Sequence, residues 1–329
     1  MKKLRLGVVR PAALALLLAG TAGADPLPSW NEGEAKARIL GFVESVSDPG
    51  SDDYVTPADR IAVFDNDGTL WAEQPIYFQF LFALDRLRAM ADEDPSVLTS
   101  ENLKAAATGD LKTLEASGVE GLLEVVSVTH SGLSVAEFIS ESRAWLDTAR
   151  HPETGRPFDE MVYQPMLELL RYLRDEGFTT FIVSGGGVHF LRAFAEEAYN
   201  IPPDQIVGST GNASYDVVDG VPRIVKDPGI FFVDDKEGKP VAIDMRIGKR
   251  PIFAAGNSDG DFQMLEWTTA GEGPRLGLIV HHTDAAREWA YDRESHVGRL
   301  ERGLDEGPER DWLIVDMADD WAKVWPASE

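Results

Sequence analysis

The stretch RIAVFDNDGTLW, residues 60–71, decides how the chain is read. Four apolar residues, 61–64, run straight into Asp65, Asn66, Asp67, Gly68 and Thr69. A short apolar run stopped by turn-forming residues reads as a buried strand. Alternation along a strand would place Asp65 and Asp67 on the same side of the backbone, where two carboxylates repel. Such crowding is costly unless a cation, or a reaction, needs it.

Five further apolar runs follow at wide spacing, at residues 179–183, 205–207, 252–255, 276–280 and 312–315. Helical patterns such as 161–175 and 188–199 separate most of them, and another is expected near 33–46. Buried strands alternating with helices predict an α/β fold, a Rossmann-like parallel sheet with helices on both faces. Between the first two strands lie more than 100 residues that read as helical at 76–90, 100–115, 119–128 and 134–148. That is too long for one crossover, so residues 71–159 are expected to be an inserted α-helical cap. The core is then 25–70 and 160–329. Alternating runs around Asp219-Gly220 predict a β-hairpin, read as a flap on the sheet edge.

The chain has 329 residues, 43% hydrophobic and 26% charged, with a net charge of −25. There is no cysteine, which excludes disulfides, thiol nucleophiles and cysteine-bound metals. Lys2, Lys3, Arg5 and Arg10 precede a short apolar run and an Ala22-Gly23-Ala24 site. This is the layout of a signal peptide over residues 1–24, cleaved after Ala24, and it predicts a periplasmic or secreted protein without stable membrane insertion after cleavage. Removing it takes away those four cations and no acid. So acidic a surface predicts no nucleic-acid partner, and any phosphate site needs a local cation and oriented backbone N–H groups.

Ligands of open α/β sheets sit at the carboxyl ends of the strands. The first strand ends on Asp65 to Thr69, the second on Ser184, Gly185, Gly186 and Gly187, and the fourth on Gly256-Asn257-Ser258-Asp259-Gly260-Asp261. Lys236, Lys239 and Lys249 precede that last loop. Each motif alone has a plainer reading as a turn, a flexible loop or a helix cap. A calcium loop at 256–261 is disfavoured because no bidentate glutamate follows at the required distance. All of them falling at strand ends is harder to obtain by accident.

Together these motifs resemble those of the haloacid dehalogenase superfamily, in its phosphatase branch, with a phosphoserine-phosphatase-like layout over residues 60–277. The family's D-x-D-G-T is matched by Asp65 to Thr69 and its strand-terminal Ser or Thr by Ser184. The resemblance implies a phosphomonoester hydrolase working through an aspartyl-phosphate, with Asp65 as nucleophile and Asp67 as general acid and base. It implies Mg²⁺, held by Asp65, Asp67, Asn257 and Asp261, which would neutralise the crowded acids. Ser184 and the N–H groups of Gly185 and Gly186, read as opening a helix, would bind the phosphate. Lys239 is the expected charge-balancing lysine, with Lys249 the alternative.

The departure is Asn257, where the family usually carries a metal-binding aspartate; Asp259 is then spare. Glu73, following the first motif, is read as touching the leaving group, with a cap-hinge role equally open. His189 is a weaker candidate to face the site, and a metal shared by His281 and His282 is not expected. The expected partner is a small phosphorylated metabolite. A dehalogenase is disfavoured by Asp67, while a phosphomutase and a non-catalytic phosphate-ligand-binding protein stand as alternatives.

Overall fold

A computed structural model of the chain describes residues 24–327; the expected signal segment, apart from Ala24, lies outside the described residues. In chain order the elements are α1 (Glu34–Ser47), β1 (Ile61–Phe64), α2 (Phe78–Glu93), α3 (Glu101–Thr108), α4 (Leu111–Thr129), α5 (Val135–Thr148) and α6 (Gln164–Asp175). Then come β2 (Thr179–Gly187), α7 (Val188–Leu191), α8 (Ala195–Tyr199), β3 (Ile206–Val218), β4 (Val221–Phe232) and α9 (Gly238–Arg246). The chain continues with β5 (Phe253–Gly256), α10 (Phe262–Thr269), β6 (Leu276–His281), α11 (Arg302–Glu306), β7 (Leu313–Asp316) and α12 (Met317–Asp320).

The seven strands form one sheet in the order β4-β3-β2-β1-β5-β6-β7, parallel throughout except for β4. Every residue of β1 is buried because β1 lies at the centre of the sheet. Its side chains alternate between two cores: Ala62 and Phe64 join the larger cluster, Ile61 and Val63 the smaller one beneath α9 and α10. The fold class read from the sequence is the one observed, a Rossmann-like sheet with helices on both faces. Five helices, α2 to α6, stand between β1 and β2, and α2 to α4 enclose a small core of their own around Leu84, Leu87, Leu103 and Leu114. None of the described helices is long and apolar enough to cross a membrane.

Several boundaries differ from expectation. The third strand does not stop at 207; β3 runs on to Val218 and forms the flap with β4, turning at Asp219 and Gly220, both with positive φ. The helix expected over 100–115 ends at Thr108 instead. Gly109 closes it in the left-handed region (φ 77°) and Asp110 caps α4 by accepting from Thr113 N–H. Residues 188–199 split into the short α7 and α8. The glycines after Ser184 do not open a helix: β2 continues through Gly187, and α7 has only four residues.

Arg60 sets where β1 begins. It is buried, and its guanidinium donates to the carbonyls of Val55 (2.8 Å), Glu176 (2.6 Å) and Ser47 (3.2 Å). These ties join the linker and the turn after α6 to the foot of β1. Arg60→Ala orphans three carbonyls, each having held a charge-assisted bond. It is expected to lower unfolding free energy by about 2–4 kcal/mol in chemical denaturation, and a loss under about 0.5 kcal/mol would contradict this role.

Candidate active site

Asp65 follows β1 directly, its N–H still bonded to Ala255 O on β5 (2.9 Å). The strand ladder ends there, and the chain turns at Gly68 (φ 71°). A Cβ at Gly68 would overlap the amide of Asn257, so this turn requires glycine on both counts. The two aspartates therefore lie on a turn and not on a continued strand. Asp67 accepts from the Trp71 indole N–H through Oδ1 (2.8 Å). Its Oδ2 lies on the side of Gly186 and Ser184, 3.6 Å from where a Cβ on Gly186 would stand.

Lys239, in the first turn of α9, is buried and reaches three strand ends at once. Its ammonium donates to Asp65 Oδ1 (2.7 Å), Asp261 Oδ1 (2.6 Å) and Val183 O (2.9 Å). Burial opposes its charge, but Asp261 and Asp65 outweigh that and hold its pKa above the ordinary lysine range. Lys249, the alternative, is instead exposed and pairs with Asp59 (2.8 Å). Asp261 spends its other oxygen on the N–H groups of Asn257 (3.0 Å) and Ser258 (3.1 Å), which shapes the 256–261 loop. Asp259 faces elsewhere, accepting from the N–H groups of Glu301, Arg302 and Gly303 at the start of α11.

Ser184 is buried at the end of the β2 core, and its Oγ accepts from Gly186 N–H (3.1 Å). Gly187 N–H is taken by Gln79 Oε1 of α2 (2.7 Å). Gly185 is exposed, so the glycine loop is open to solvent.

Glu73 lies against the Asn257 loop. It is buried and its Oε1 accepts from Asn257 Nδ2 (2.7 Å) and Tyr291 O–H (2.8 Å). Asn257 Oδ1 accepts in turn from Thr69 Oγ1 (3.1 Å). His282, stacked on Tyr291 at 4.4 Å between ring centroids, donates from Nε2 to the Gly68 carbonyl (2.8 Å). His281 turns away toward Asp292 (3.3 Å). Tyr291 and the link from His282 to Gly68 were not foreseen. They come from 200 or more residues away, and only the strand-terminal position of His282 hinted at a role.

The site is rich in carboxylates. Burial first, then Asp261, pushes the Asp65 carboxyl well above its usual range against the pull of Lys239. Burial also raises Asp67, and burial followed by repulsion from Asp67 raises Glu73. Asp234 and Asp235 lie near the same lysine without an ion pair to it, and among the described residues Lys239 is the only cation paired with Asp65 and Asp261. That charge balance fits a divalent cation with oxygen ligands. Among the described residues no three acid or histidine side chains are arranged to hold a metal unaided, so main-chain and amide oxygens would have to complete the set.

The sequence profile of the haloacid dehalogenase-like hydrolases matches residues 62–266. None of the curated proteins matches the chain. Among solved structures, a conserved protein of unknown function from Anaerococcus prevotii is 16% identical, with a TM-score of 0.52 over 79% of this chain and 88% of its own. A protein of unknown function from Bordetella pertussis is also 16% identical, with a TM-score of 0.51 over 78% and 98%. A HAD family hydrolase from Salmonella enterica serovar Typhi is 18% identical, with a TM-score of 0.37 over 70% and 65%. For the first two, at these identities, the likeness is one of fold.

Asp234 yields a test of the site's electrostatics. Both its oxygens are buried without a hydrogen-bond partner, and burial pushes its pKa from 3.8 up to about 7. A carboxyl raised on folding stabilises the native state fully below its unfolded pKa and loses that contribution as pH climbs through the folded one. Asp234→Asn should therefore melt close to wild type at pH 4 and several degrees above it at pH 8. An equal difference at both pH values would contradict an unpaired, buried Asp234.

Proposed function

The chain belongs to the haloacid dehalogenase-like hydrolases, and from that footing we propose that it is a Mg²⁺-dependent phosphomonoesterase acting on a small organic phosphate through an aspartyl-phosphate. The observation that carries the reading is the Lys239 ammonium bonded to Asp65 and Asp261, beside Asp67 and the Ser184 loop. An oriented carboxylate, a second raised carboxyl and backbone N–H groups at one sheet edge suit phosphoryl transfer with a proton delivered to the leaving oxygen.

On this reading Asp65 attacks phosphorus through a carboxylate oxygen while the ester oxygen departs on the opposite side. Lys239 keeps that carboxylate in place and offsets the charge gathered by nucleophile and phosphate. Asp67, its carboxyl raised by burial and its Oδ1 fixed by Trp71, gives a proton to the leaving oxygen, then takes one from the water that opens the acyl-phosphate. Ser184 Oγ and the N–H groups of Gly185 and Gly186 receive the phosphoryl oxygens. Asp65, the Asp67 carbonyl and Asn257 Oδ1 would hold Mg²⁺. When bound, Mg²⁺ supplies charge neutralisation at the phosphoryl group. Asp261, with both oxygens engaged, keeps the Asn257 loop in shape. Glu73 orients the Asn257 amide so that its nitrogen faces Glu73 and its oxygen is turned the other way. Residues 71–159 serve as a cap that shields the acyl-phosphate from bulk water. The basic, apolar and small-residue layout of 1–24 supports export.

Asp65→Asn is expected to lose turnover of p-nitrophenyl phosphate while keeping a cooperative thermal transition; a tenth of wild-type activity would defeat the nucleophile assignment. The metal set is tested by Mg²⁺ titrations read both as activity and as the Mg²⁺-induced rise in melting temperature. Asn257→Ala should raise the Mg²⁺ needed by about 10–100-fold, the scale of supporting metal-site residues. Asp259→Asn should lower the melting temperature without moving the Mg²⁺ requirement, since its bonds go to residues 301–303. The reverse pattern would mean that Asp259 is the ligand.

A further inference from the structure

Away from the acidic centre, the described residues bury one ammonium for which they provide no acid. Lys226, on β4, is 6% exposed, and among the described residues no carboxylate pairs with it. Its Nζ lies 3.1 Å from His189 Nδ1 and 4.5 Å from the centre of the Phe138 ring. In a chain with 56 acids and 31 lysines and arginines, a buried cation left without an acid needs a reason. Burial brings its pKa down to about 8, which leaves it mostly charged at neutral pH.

The backbone holds this group at the meeting of flap, helical insertion and core. Lys226 N–H donates to Leu133 O (2.8 Å), and Lys226 O accepts from Gly132 N–H (2.8 Å), so β4 is tied to the loop between α4 and α5. His189 lies just beyond the glycine loop.

Hydrogen-bond counting fixes the protons around it. Thr129 Oγ1 donates to Val125 O (2.8 Å) and so accepts from His130 Nδ1 (2.9 Å). His130 Nε2 then carries no proton and accepts from Gln79 Nε2 (3.0 Å), whose Oε1 holds Gly187 N–H (2.7 Å). Lys226 donates to His189 Nδ1, which leaves the His189 proton on Nε2. Burial and then Lys226 keep both rings neutral, with pKa values of about 3 for His130 and about 4 for His189. What remains unspent is all donor: Lys226 Nζ–H, His189 Nε2–H and the second amide proton of Gln79. The cluster holds one positive charge and is one residue, Gln79, away from the loop proposed to bind the phosphoryl group.

We infer that Lys226, His189 and Gln79 form a second anion subsite for a carboxylate or phosphate on the leaving group, so that the enzyme favours phosphomonoesters bearing a second negative charge. This rests on the phosphatase reading and names its substrate class. In an in-line displacement the leaving group departs away from Asp65, and the inferred subsite requires it to extend toward Gln79 of α2 and Lys226 of the flap. An anionic group there would complete the charge and hydrogen bonding of Lys226.

The experiment compares kcat/KM for 2-phosphoglycolate and for ethyl phosphate, with 1,3-propanediol bisphosphate as a phosphate-bearing arm and p-nitrophenyl phosphate as the control. The wild type should prefer at least one of the two esters with an anionic tail over ethyl phosphate by about tenfold or more. Whichever is preferred tells whether the tail group is carboxylate or phosphate. Lys226→Met should cut that preference by about 10–100-fold, the scale of a lost charge-assisted bond, and Lys226→Arg should restore part of it. Should Lys226→Met fail to fold, His189→Phe serves instead and should also reduce the preference. Turnover of p-nitrophenyl phosphate with no preference in the wild type overturns the subsite alone. Equal losses on charged and neutral esters in Lys226→Met also overturn it, making Lys226 a fastening between flap and insertion. No turnover of any ester overturns the phosphatase reading and the subsite with it.

Discussion

The Lys239 ammonium spends its three N–H bonds on three different strand ends, Asp65 after β1, Val183 on β2 and Asp261 beyond β5. Burying an ammonium or a carboxylate alone is expensive, and here each makes the other tolerable. Because Asp261 is held by Lys239, its second oxygen can gather the N–H groups of Asn257 and Ser258 and shape the loop beside Asp65. Because Asp65 is held, its carboxylate has one orientation. The surplus of negative charge left over makes the site receptive to a divalent cation.

A second layer grips the first motif from behind. Glu73 joins Asn257 to Tyr291, and His282 reaches the carbonyl of Gly68. These bonds fasten the turn carrying Asp67 to a segment far away in the sequence. Catalytic geometry of this kind depends on supporting contacts as much as on the reacting groups. A buried carboxylate, Glu73, also lies directly behind the Asn257 amide and fixes its orientation.

What was legible in the sequence was local. The run at 61–64 is apolar on both faces because β1 is covered on both, and its abrupt end on Asp65 marks the sheet's carboxyl edge. Gly109 and Asp110 also carried a legible signal, a helix stop followed at once by a cap, yet the apolar period across them suggested a longer helix. The length of β3 was hidden because its outer half leaves the core to pair with β4 alone and becomes exposed, which resembles a separate hairpin. The glycines after Ser184 fit a helix start or a strand equally well. Partners far apart, such as Glu73 with Tyr291 or Lys226 with His189, leave no periodic trace, since each depends on how whole elements pack.

The central claim is that Asp65 carries the phosphoryl group between two displacements. Acid quenching during steady turnover of p-nitrophenyl phosphate with Mg²⁺, followed by peptide mass spectrometry, tests it directly. A phosphoryl adduct is expected on the peptide containing Asp65, localised to that residue and absent from Asp65→Asn. Turnover with no acyl-phosphate, or with the phosphoryl group on another residue, would contradict it.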